Sequence, residues 1–322
     1  MLKLIVTRLW QGVVVLLVVS ALTFWLLAAA GGDALTALSA EPTVSQTALA
    51  ELRRVYGLDQ PLAVRYLHWL ADAARGRLGT SLYYHTPVWA IIRPRLLRTL
   101  LLGCVALVMA WSLALTLGAA AARRPRGWAD RVSGALILVT ASLPRLVLAL
   151  AALAFAARTG AFKVGAGAQG LAAEFNPLRV FVPALVLAAP LVAVFLAQTR
   201  AGLGAALNEE FVTVARAKGL PERAVVLRHA LRAALNPLIT IFGYSLGSVV
   251  SGSVIVEAIL GWPGLGQLSV AAVVNRDVPL LLGVVLVTAA AVLCGNLCAD
   301  LLLRWNDPRL RAADAPATNA AP

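Results

Sequence analysis

The sequence predicts an all-α protein that crosses a membrane six times. Hydrophobic residues make up 60% of its 322 residues and charged residues only 13%, and the mean hydropathy is +0.83. A soluble globular chain is less apolar and carries more charge than this. Apolar stretches of about 20 residues, the length that a helix needs to cross the hydrocarbon core, recur along the chain. They cover residues 9–30, 100–122, 132–157, 180–198, 238–256 and 280–303.

The N-terminal third combines a membrane anchor with a polar interval. The apolar run at residues 9–30 exceeds the roughly 7 to 15 residues of a signal-peptide core, so we expect a retained anchor rather than a cleaved signal. Residues 31–98 form the longest polar interval, and two short amphipathic helices are expected in it, at 46–56 and 61–74. A small helical subdomain outside the membrane is the preferred interpretation.

The distribution of charge orients the chain. The formal net charge of +13 would suggest nucleic acid as a partner of a soluble protein, but here the position of the charges decides. Residues 123–131 hold four arginines and one acid in a short loop. Over all short segments, one predicted face carries 15 Lys and Arg and the other carries four. This excess predicts cytoplasmic termini and no nucleic-acid partner.

A charged helix-turn-helix at residues 208–237 lies between the fourth and fifth spans. Glu210 stands at the start of its first helix and Lys218 in the last turn, where each charge suits the helix dipole. Gly219 and Pro221 are typical of a helix stop and of a restart. A basic hairpin of this kind is also expected to bind anionic lipid headgroups, which is the alternative interpretation of the segment.

The second helix of this segment is predicted to be two-sided. Arg228, Arg232 and Asn236 form one stripe at four-residue spacing. The opposite stripe is apolar and is expected to pack on the protein; it comprises Leu227, Leu231, Ala234 and Leu235.

Residues 257–279 connect the fifth and sixth spans and read EAILGWPGLGQLSVAAVVNRDVP. Glycines and a proline spaced among apolar residues predict a tight, close-packed turn rather than a solvated loop.

These segments carry a resemblance to a known family. ARAKGL at 215–220, followed by RHALRAALNP at 228–237, resembles the cytoplasmic loop of ATP-binding-cassette (ABC) importer permeases, which inserts a coupling helix into the ATPase subunit. The variant is similar to that of the dipeptide, oligopeptide and nickel permeases. EAILGWPGLGQL and RDVP within 257–279, YGLDQPLAVRYLHWL at 56–70 and GRLGTSL at 76–82 are similar to external segments of the same family. The sequence departs from the family pattern at Arg77, Leu97, Thr213, Val214 and Ala233.

The resemblance implies a type I ABC importer permease fold, with a small helical subdomain added outside the membrane. Residues 1–30 would hold the cytoplasmic N-terminal end and the first transmembrane helix, and 31–98 the external subdomain. Residues 99–307 would form a five-helix core that includes the coupling loop 208–237, and 308–322 a disordered cytoplasmic tail.

The resemblance also implies site residues. Coupling to the ATPase would rest on Glu210, Ala215, Arg216, Lys218, Gly219, Arg228, His229, Arg232 and Pro237. The external mouth of the translocation path would be shaped by Glu257, Trp262, Pro263, Gly264, Gly266, Arg276 and Asp277.

The partners implied by the resemblance are a second, similar permease that completes a heterodimer, two cytoplasmic ABC ATPases and an external substrate-binding protein. The chain would lie in the bacterial inner membrane, in contact with lipid. ATP and Mg²⁺ would bind to the ATPases, so this chain would bind no cofactor itself.

Arg145 follows Pro144 near the middle of the third apolar stretch. A charge at this depth costs about 2.5 to 3.5 kcal/mol on insertion scales, so it is expected to face a cavity or a partner. One interpretation places it in the translocation path, against an anionic group of the substrate. The alternative is that it snorkels or pairs with an acid across a subunit boundary. The family usually has a small polar residue here, so the resemblance does not decide.

Other classes of function are disfavoured. His68, His85 and His229 lie outside the spans, so no base is available for an intramembrane serine hydrolase, and Cys104, Cys294 and Cys298 lack metal or disulfide spacing. The P-loop pattern is absent, so energy must come from a partner or an ion gradient. An ion-coupled secondary transporter is the alternative, and a receptor or anchor is disfavoured by the coupling segment. Dipeptide, oligopeptide, nickel chelate and sugar remain open as cargo.

Overall fold

The computed structural model describes residues 2–29, 59–160 and 177–306, together with isolated positions between 47 and 54. The expected helix at 46–56, most of the loop between the third and fourth spans and the C-terminal tail lie outside the described residues. The helices are α1 (Leu2–Ala29), α2 (Leu62–Ala74), α3 (Val88–Arg123), α4 (Trp128–Ser142), α5 (Arg145–Thr159), α6 (Pro177–Leu207), α7 (Glu210–Ala217), α8 (Leu231–Leu260), α9 (Leu265–Val274) and α10 (Val278–Asn306).

Five of these helices, α1, α3, α6, α8 and α10, are long and apolar enough to cross a membrane. The helices α4 and α5 form a sixth span if they are counted together. The all-α fold with six predicted spans is confirmed on this count. The helix of the second span begins at Val88 instead of Leu100, because it includes about three further turns that the apolar pattern does not mark. These turns contain Arg93, Arg95 and Arg98.

The third span is broken rather than kinked. Helices α4 and α5 meet at 96°, with Leu143 extended (φ −91°, ψ 117°) and Pro144 immediately before α5. Proline has no amide hydrogen to donate to the preceding turn, and it forces the residue before it out of the helical region. The interruption therefore falls at Pro144, and its angle of 96° is larger than that of a proline kink.

The centre of the bundle is the contact between α3 and α6. Small side chains on α3, at Ala106, Ala110 and Gly118, let the two backbones approach closely, and a methyl group at Gly118 would collide with Thr199. Membrane helices commonly associate through such small residues, since burial from lipid adds little driving force. The ring of Trp111 packs edge-on against Phe195 at 5.6 Å and Phe242 at 5.3 Å between centroids.

The outer helices attach at fewer points. Helix α1 packs on α10, where Arg8 Nε lies 2.7 Å from Asp300 Oδ2. The predicted amphipathic helix at 61–74 is confirmed as α2, and it lies on α1. The hydroxyls of Tyr66 and Ser20 are hydrogen-bonded at 2.9 Å, and the ring of Tyr66 packs on Phe24 at 5.5 Å.

Candidate functional site

The predicted charged hairpin forms a helical elbow, which we define as residues 208–230. After α7 ends, Gly219 adopts a φ of +75°. The amide of Gly219 donates to the carbonyl of Arg216 (2.9 Å), and the amide of Leu220 donates to the carbonyl of Ala215 (3.4 Å). Together these hydrogen bonds satisfy the carbonyls at the end of the helix, as a left-handed glycine allows. The predicted helix stop at Gly219 is confirmed.

An ion pair closes the elbow across its turn. The guanidinium of Arg216 donates from Nη2 to Glu222 Oε1 (2.9 Å) and from Nε to Oε2 (3.3 Å). The hydrogen bonds from Arg216 lower the pKa of Glu222, and the charge of the nearby Arg123 acts in the same direction. Glu222 is not among the site residues predicted from the sequence. An arginine and a glutamate on either side of a Gly-Leu-Pro turn were the available signal.

The inner side of the elbow is packed against the ends of the spans. Its buried side chains are Val212, Ala215, Val225, Val226 and Ala230, which pack with Leu203, Ala206, Leu207 and Ala234. Ala215, which the resemblance assigned to coupling, therefore supports the elbow from inside. The other residues of that set are exposed, except for the half-buried His229: Glu210, Arg216, Lys218, Gly219, Arg228, Arg232 and Pro237.

The outer side of the elbow is partly apolar. Phe211 is 42% exposed, Val214 53% and Leu227 64%. Lys218 and Arg228 are exposed in the same segment, which lies beyond the ends of the membrane spans. A surface that mixes exposed apolar groups with charges is typical of a protein–protein contact rather than of a solvated loop.

The prediction that Leu227 packs inward is wrong. After a short helical turn at Glu222–Ala224, the chain forms a π-helix at Val225–Ala230 and passes into α8 without a break. A π-helix bonds each amide five residues back instead of four, so it rotates the side chains relative to an α-helical pattern. Val226, Ala230 and Ala234 therefore occupy the buried face, and Leu227 turns outward.

The second predicted site forms a buried junction, which we define as Thr99, Glu257, Gly264, Leu265 and Gly266. The carboxylate of Glu257, in the last turns of α8, is fully buried. Its Oε1 accepts a hydrogen bond from the Thr99 hydroxyl (2.7 Å) and its Oε2 one from the Gly266 amide (2.6 Å). The same hydroxyl accepts from the Leu265 amide (2.8 Å). One carboxylate and one hydroxyl thus join α3, α8 and α9.

The glycines of the junction are required by close approach. A methyl group on Gly264 would collide with the Glu257 carboxylate and the Thr99 hydroxyl, and one on Gly266 would collide with the backbone of Val254. The turn itself is made by Gly261, whose φ is +64°. The predicted tight, close-packed turn is confirmed.

Trp262 and Pro263 lie at the edge of this turn. The indole of Trp262 is buried, and its Nε1 donates to the carbonyl of Arg98 (3.3 Å). Pro263 is half-buried. Trp262 therefore anchors the turn to α3 and is not free to contact a ligand.

Asp277 belongs to a separate cluster. Its buried carboxylate accepts from the Ser81 hydroxyl, from the Tyr83 amide (3.1 Å) and from the Leu280 amide (3.2 Å). It therefore caps the start of α10 and holds the loop before α3 in place. The neighbouring Arg276 is exposed, with a φ of +51°.

Arg145 is the first residue of α5, at the break of the third span. Its guanidinium rests on Gly252 of α8, where a methyl group would collide with it.

As for metals, no group of three His, Cys, Asp or Glu side chains in the described ranges could hold an ion.

Comparison with known proteins covers nearly the whole chain. Residues 114–312 match the family described as binding-protein-dependent transport system inner membrane component, and residues 1–103 match the N-terminal family of such membrane components. The chain is 36% identical over 312 residues to the oligopeptide transport system permease protein AppB of Bacillus subtilis, covering 95% of this chain and 98% of that protein. It is 34% identical over 317 residues to a putative peptide permease protein of Brucella ovis, covering 97% and 99%. It is 32% identical over 311 residues to the glutathione transport system permease protein GsiC of Salmonella typhimurium, also covering 97% and 99%.

Proposed function

The chain belongs to the family of binding-protein-dependent transport system inner membrane components, and on that premise we propose that it is the membrane subunit of an ATP-driven importer of peptides. The proposal of peptide cargo is supported by the names of the relatives, which are oligopeptide, peptide and glutathione permeases. The chain itself forms part of the path through the membrane. Nucleotide hydrolysis belongs to partner subunits, on which ATP and Mg²⁺ bind.

The elbow is the proposed contact with the ATPase, and its exposed apolar side is the observation that carries the proposal. Phe211, Val214 and Leu227 are each at least 42% exposed although they lie outside the spans. Complete burial of a side chain of this kind contributes about 1.5 to 3 kcal/mol, so covering all three would support a stable contact. Lys218 and Arg228 beside them add charges that fix the orientation of a partner.

The fixed inner side of the elbow supports the same role. Its buried side chains pack on the end of α6, and its second half continues directly into α8. A displacement of the elbow would therefore be transmitted to α8 instead of being absorbed by a flexible loop. We assign Glu210, Arg216, Lys218, Gly219, Arg228, His229 and Arg232 to this contact, with Pro237 at the start of the span.

The assembly would contain this chain, a second permease in a heterodimer, two cytoplasmic ATPases and an external substrate-binding protein. The elbow and both termini would face the cytoplasm of a bacterial cell, in agreement with the excess of Lys and Arg on that face. The junction and Arg276 would then lie near the external mouth.

The transport assay separates this proposal from an ion-coupled carrier. Proteoliposomes that contain both permeases and the ATPases, with the binding protein outside, should accumulate labelled trialanine only when ATP is supplied to the ATPase side. A protonophore should leave the uptake rate unchanged. Uptake driven by an ion gradient without ATP would contradict the proposal.

Cross-linking tests the elbow contact directly. In a background with serine at Cys104, Cys294 and Cys298, a cysteine in place of Leu227 should cross-link through a short bis-maleimide to a cysteine placed on the ATPase. The control is Trp128→Cys, since Trp128 is 74% exposed as the first residue of α4, at the same end of the bundle. Equal cross-linking at both positions would remove the elbow as the specific contact.

A further inference from the structure

Arg145 occupies an unusual position within the membrane region. It opens α5 at the 96° break, and its guanidinium lies against Gly252 of α8. Gly252 is eight residues before the end of α8 at Leu260. At about 1.5 Å per residue, the guanidinium therefore lies about 12 Å inside that end of the span. It contacts a neighbouring helix, which favours a contact within the bundle over the snorkelling alternative.

The charge of Arg145 is not compensated. The amino end of a helix carries a partial positive charge, so a cation at the first position of α5 is disfavoured by the dipole. Among the described residues, no carboxylate pairs with the guanidinium and no hydrogen bond from it is formed. A half-buried guanidinium without an anion is costly in a membrane, so its presence requires a partner that the described residues do not supply.

The face of α8 beside Arg145 is open and carries hydroxyl groups. Tyr244 is 72% exposed, and Ser251 and Ile255 are also exposed, with the half-exposed Ser248 between them. Their spacing places them on one side of the helix. The Tyr244 hydroxyl has no hydrogen-bond partner in the described part of the chain. The Ser248 and Ser251 hydroxyls donate to backbone carbonyls one turn earlier, those of Ser245 (3.1 Å) and Ser248 (3.4 Å). Ser251 adjoins the glycine that Arg145 touches.

We propose that the guanidinium of Arg145, beside Ser251, binds a carboxylate of the peptide during its passage through the membrane. This rests on the proposed function. Every peptide with a free C-terminus carries one carboxylate, and the planar fork of arginine donates two parallel hydrogen bonds to such a group. A single shared carboxylate contact suits a path that must accept many side chains. The partial positive charge at the amino end of α5, which disfavours the unpaired cation, favours an anion at the same place.

The test compares carboxylate and amide cargo. ATP-driven uptake into the complete proteoliposome system is measured for trialanine, trialanine amide and alanyl-aspartyl-alanine amide, with wild type, Arg145→Gln, Arg145→Lys and Gly252→Ala. The same binding protein delivers the peptide in every reaction, so its own preference cancels when ratios are compared between variants. Arg158→Gln on the same helix and Gly204→Ala, where a methyl group meets open space, are the matched controls.

Arg145→Gln should lower trialanine uptake at least tenfold relative to the amide, which corresponds to about 1.4 kcal/mol. Arg145→Lys should retain part of the preference, Gly252→Ala should lose it because the guanidinium is displaced, and both controls should keep it. If only the aspartyl amide depends on Arg145, the carboxylate that binds is a side chain rather than the C-terminus. An equal loss of uptake for free and amidated trialanine in Arg145→Gln would assign Arg145 to packing or to a partner's acid and would overturn the inference. An unchanged ratio of free to amidated uptake would also overturn it, and in both cases ATP-driven import by wild type would still support the proposed function. Absence of ATP-driven import in wild type would overturn both proposals.

Discussion

The elbow and the junction are built around the same turn chemistry but differ in what surrounds it. Each contains a glycine in the left-handed region followed within two residues by proline: Gly219 and Pro221 in the elbow, Gly261 and Pro263 beside the junction. In the elbow, no atom lies within 4 Å of a methyl group placed on Gly219. In the junction, methyl groups on Gly264 and Gly266 would overlap neighbouring atoms.

A glycine followed two residues later by proline therefore predicts the backbone conformation of a turn. It does not predict whether the turn is buried within the chain or exposed at the surface. The junction has its hydrogen-bonding groups satisfied within the chain, so it is a fixed joint between three helices. The elbow holds its shape by its helix end and one ion pair, and it leaves apolar side chains uncovered, which is why we propose that another molecule covers it. Substitutions should therefore damage the junction through stability and the elbow through coupling.

The largest effect is expected for Gly266→Ala. The added methyl group meets the backbone of Val254, which cannot rotate away, so the free energy of unfolding should fall by about 3 kcal/mol, the upper range for overpacking. Thermal unfolding of the purified protein in detergent measures this change. Gly204→Ala, on α6 with open space around it, should leave the melting temperature unchanged or slightly raised. Equal effects of the two substitutions would contradict the comparison.

Thr99→Val keeps the shape of the side chain and removes its hydroxyl. The Glu257 carboxylate then loses a donor and the Leu265 amide loses its acceptor, both in a buried site. We expect a loss of about 2 kcal/mol in the same unfolding measurement. Thr99→Ser, which retains the hydroxyl, should recover most of it, and a serine variant as unstable as the valine variant would show that packing and not hydrogen bonding matters here.

Gly219→Val should separate stability from coupling. A β-branched residue with positive φ costs about 1 to 2 kcal/mol locally, but it displaces no neighbour. The protein should still reach the membrane, and ATP hydrolysis by the complex should continue without peptide uptake. Gly219→Asn is the control, because asparagine tolerates the left-handed region. Normal uptake by the valine variant would show that the turn geometry is not needed for coupling.

The smallest effect is expected for Glu222→Gln. The hydrogen bonds from Arg216 lower the pKa of Glu222, so the pair stabilises the elbow above the ordinary carboxyl pKa of 4.5 and loses this contribution as the pH falls through the lowered value. The variant should melt slightly below wild type at pH 7 and low salt. The difference should shrink at high salt and vanish in strong acid. A difference that persists in acid would require another cause.

The sequence predicted what depends on neighbouring residues. The end of α7 at Gly219 follows from a glycine after a lysine-terminated turn, and the interruption before α5 follows from Pro144. The six apolar stretches predicted the spans because the hydropathy of a span depends only on the consecutive residues within it. The inward position predicted for Leu227 failed for the complementary reason: the π-helix that turns it outward is set by packing on α6, which no local pattern records.

The contacts that define the junction were beyond reach of the sequence. Thr99 and Glu257 are 158 residues apart, and Ser81 and Asp277 are 196 apart. Glu257 and Asp277 were predicted as site residues through the family resemblance. Their hydroxyl partners, Thr99 and Ser81, lie in no sequence pattern that would distinguish them from other serines and threonines. Only the folded arrangement of α3, α8 and α10 brings them together.

Elbow and junction are the two ends of one lever. From Leu231 to Glu257, α8 spans about 40 Å at 1.5 Å per residue, so a tilt of a few degrees at one end displaces the other by several ångströms. Pro237, which cannot donate the hydrogen bond that ties its turn to the one before, is where this lever bends most easily. The stiffness of α8 between Pro237 and Glu257 thus decides how much of a movement at the elbow reaches the junction.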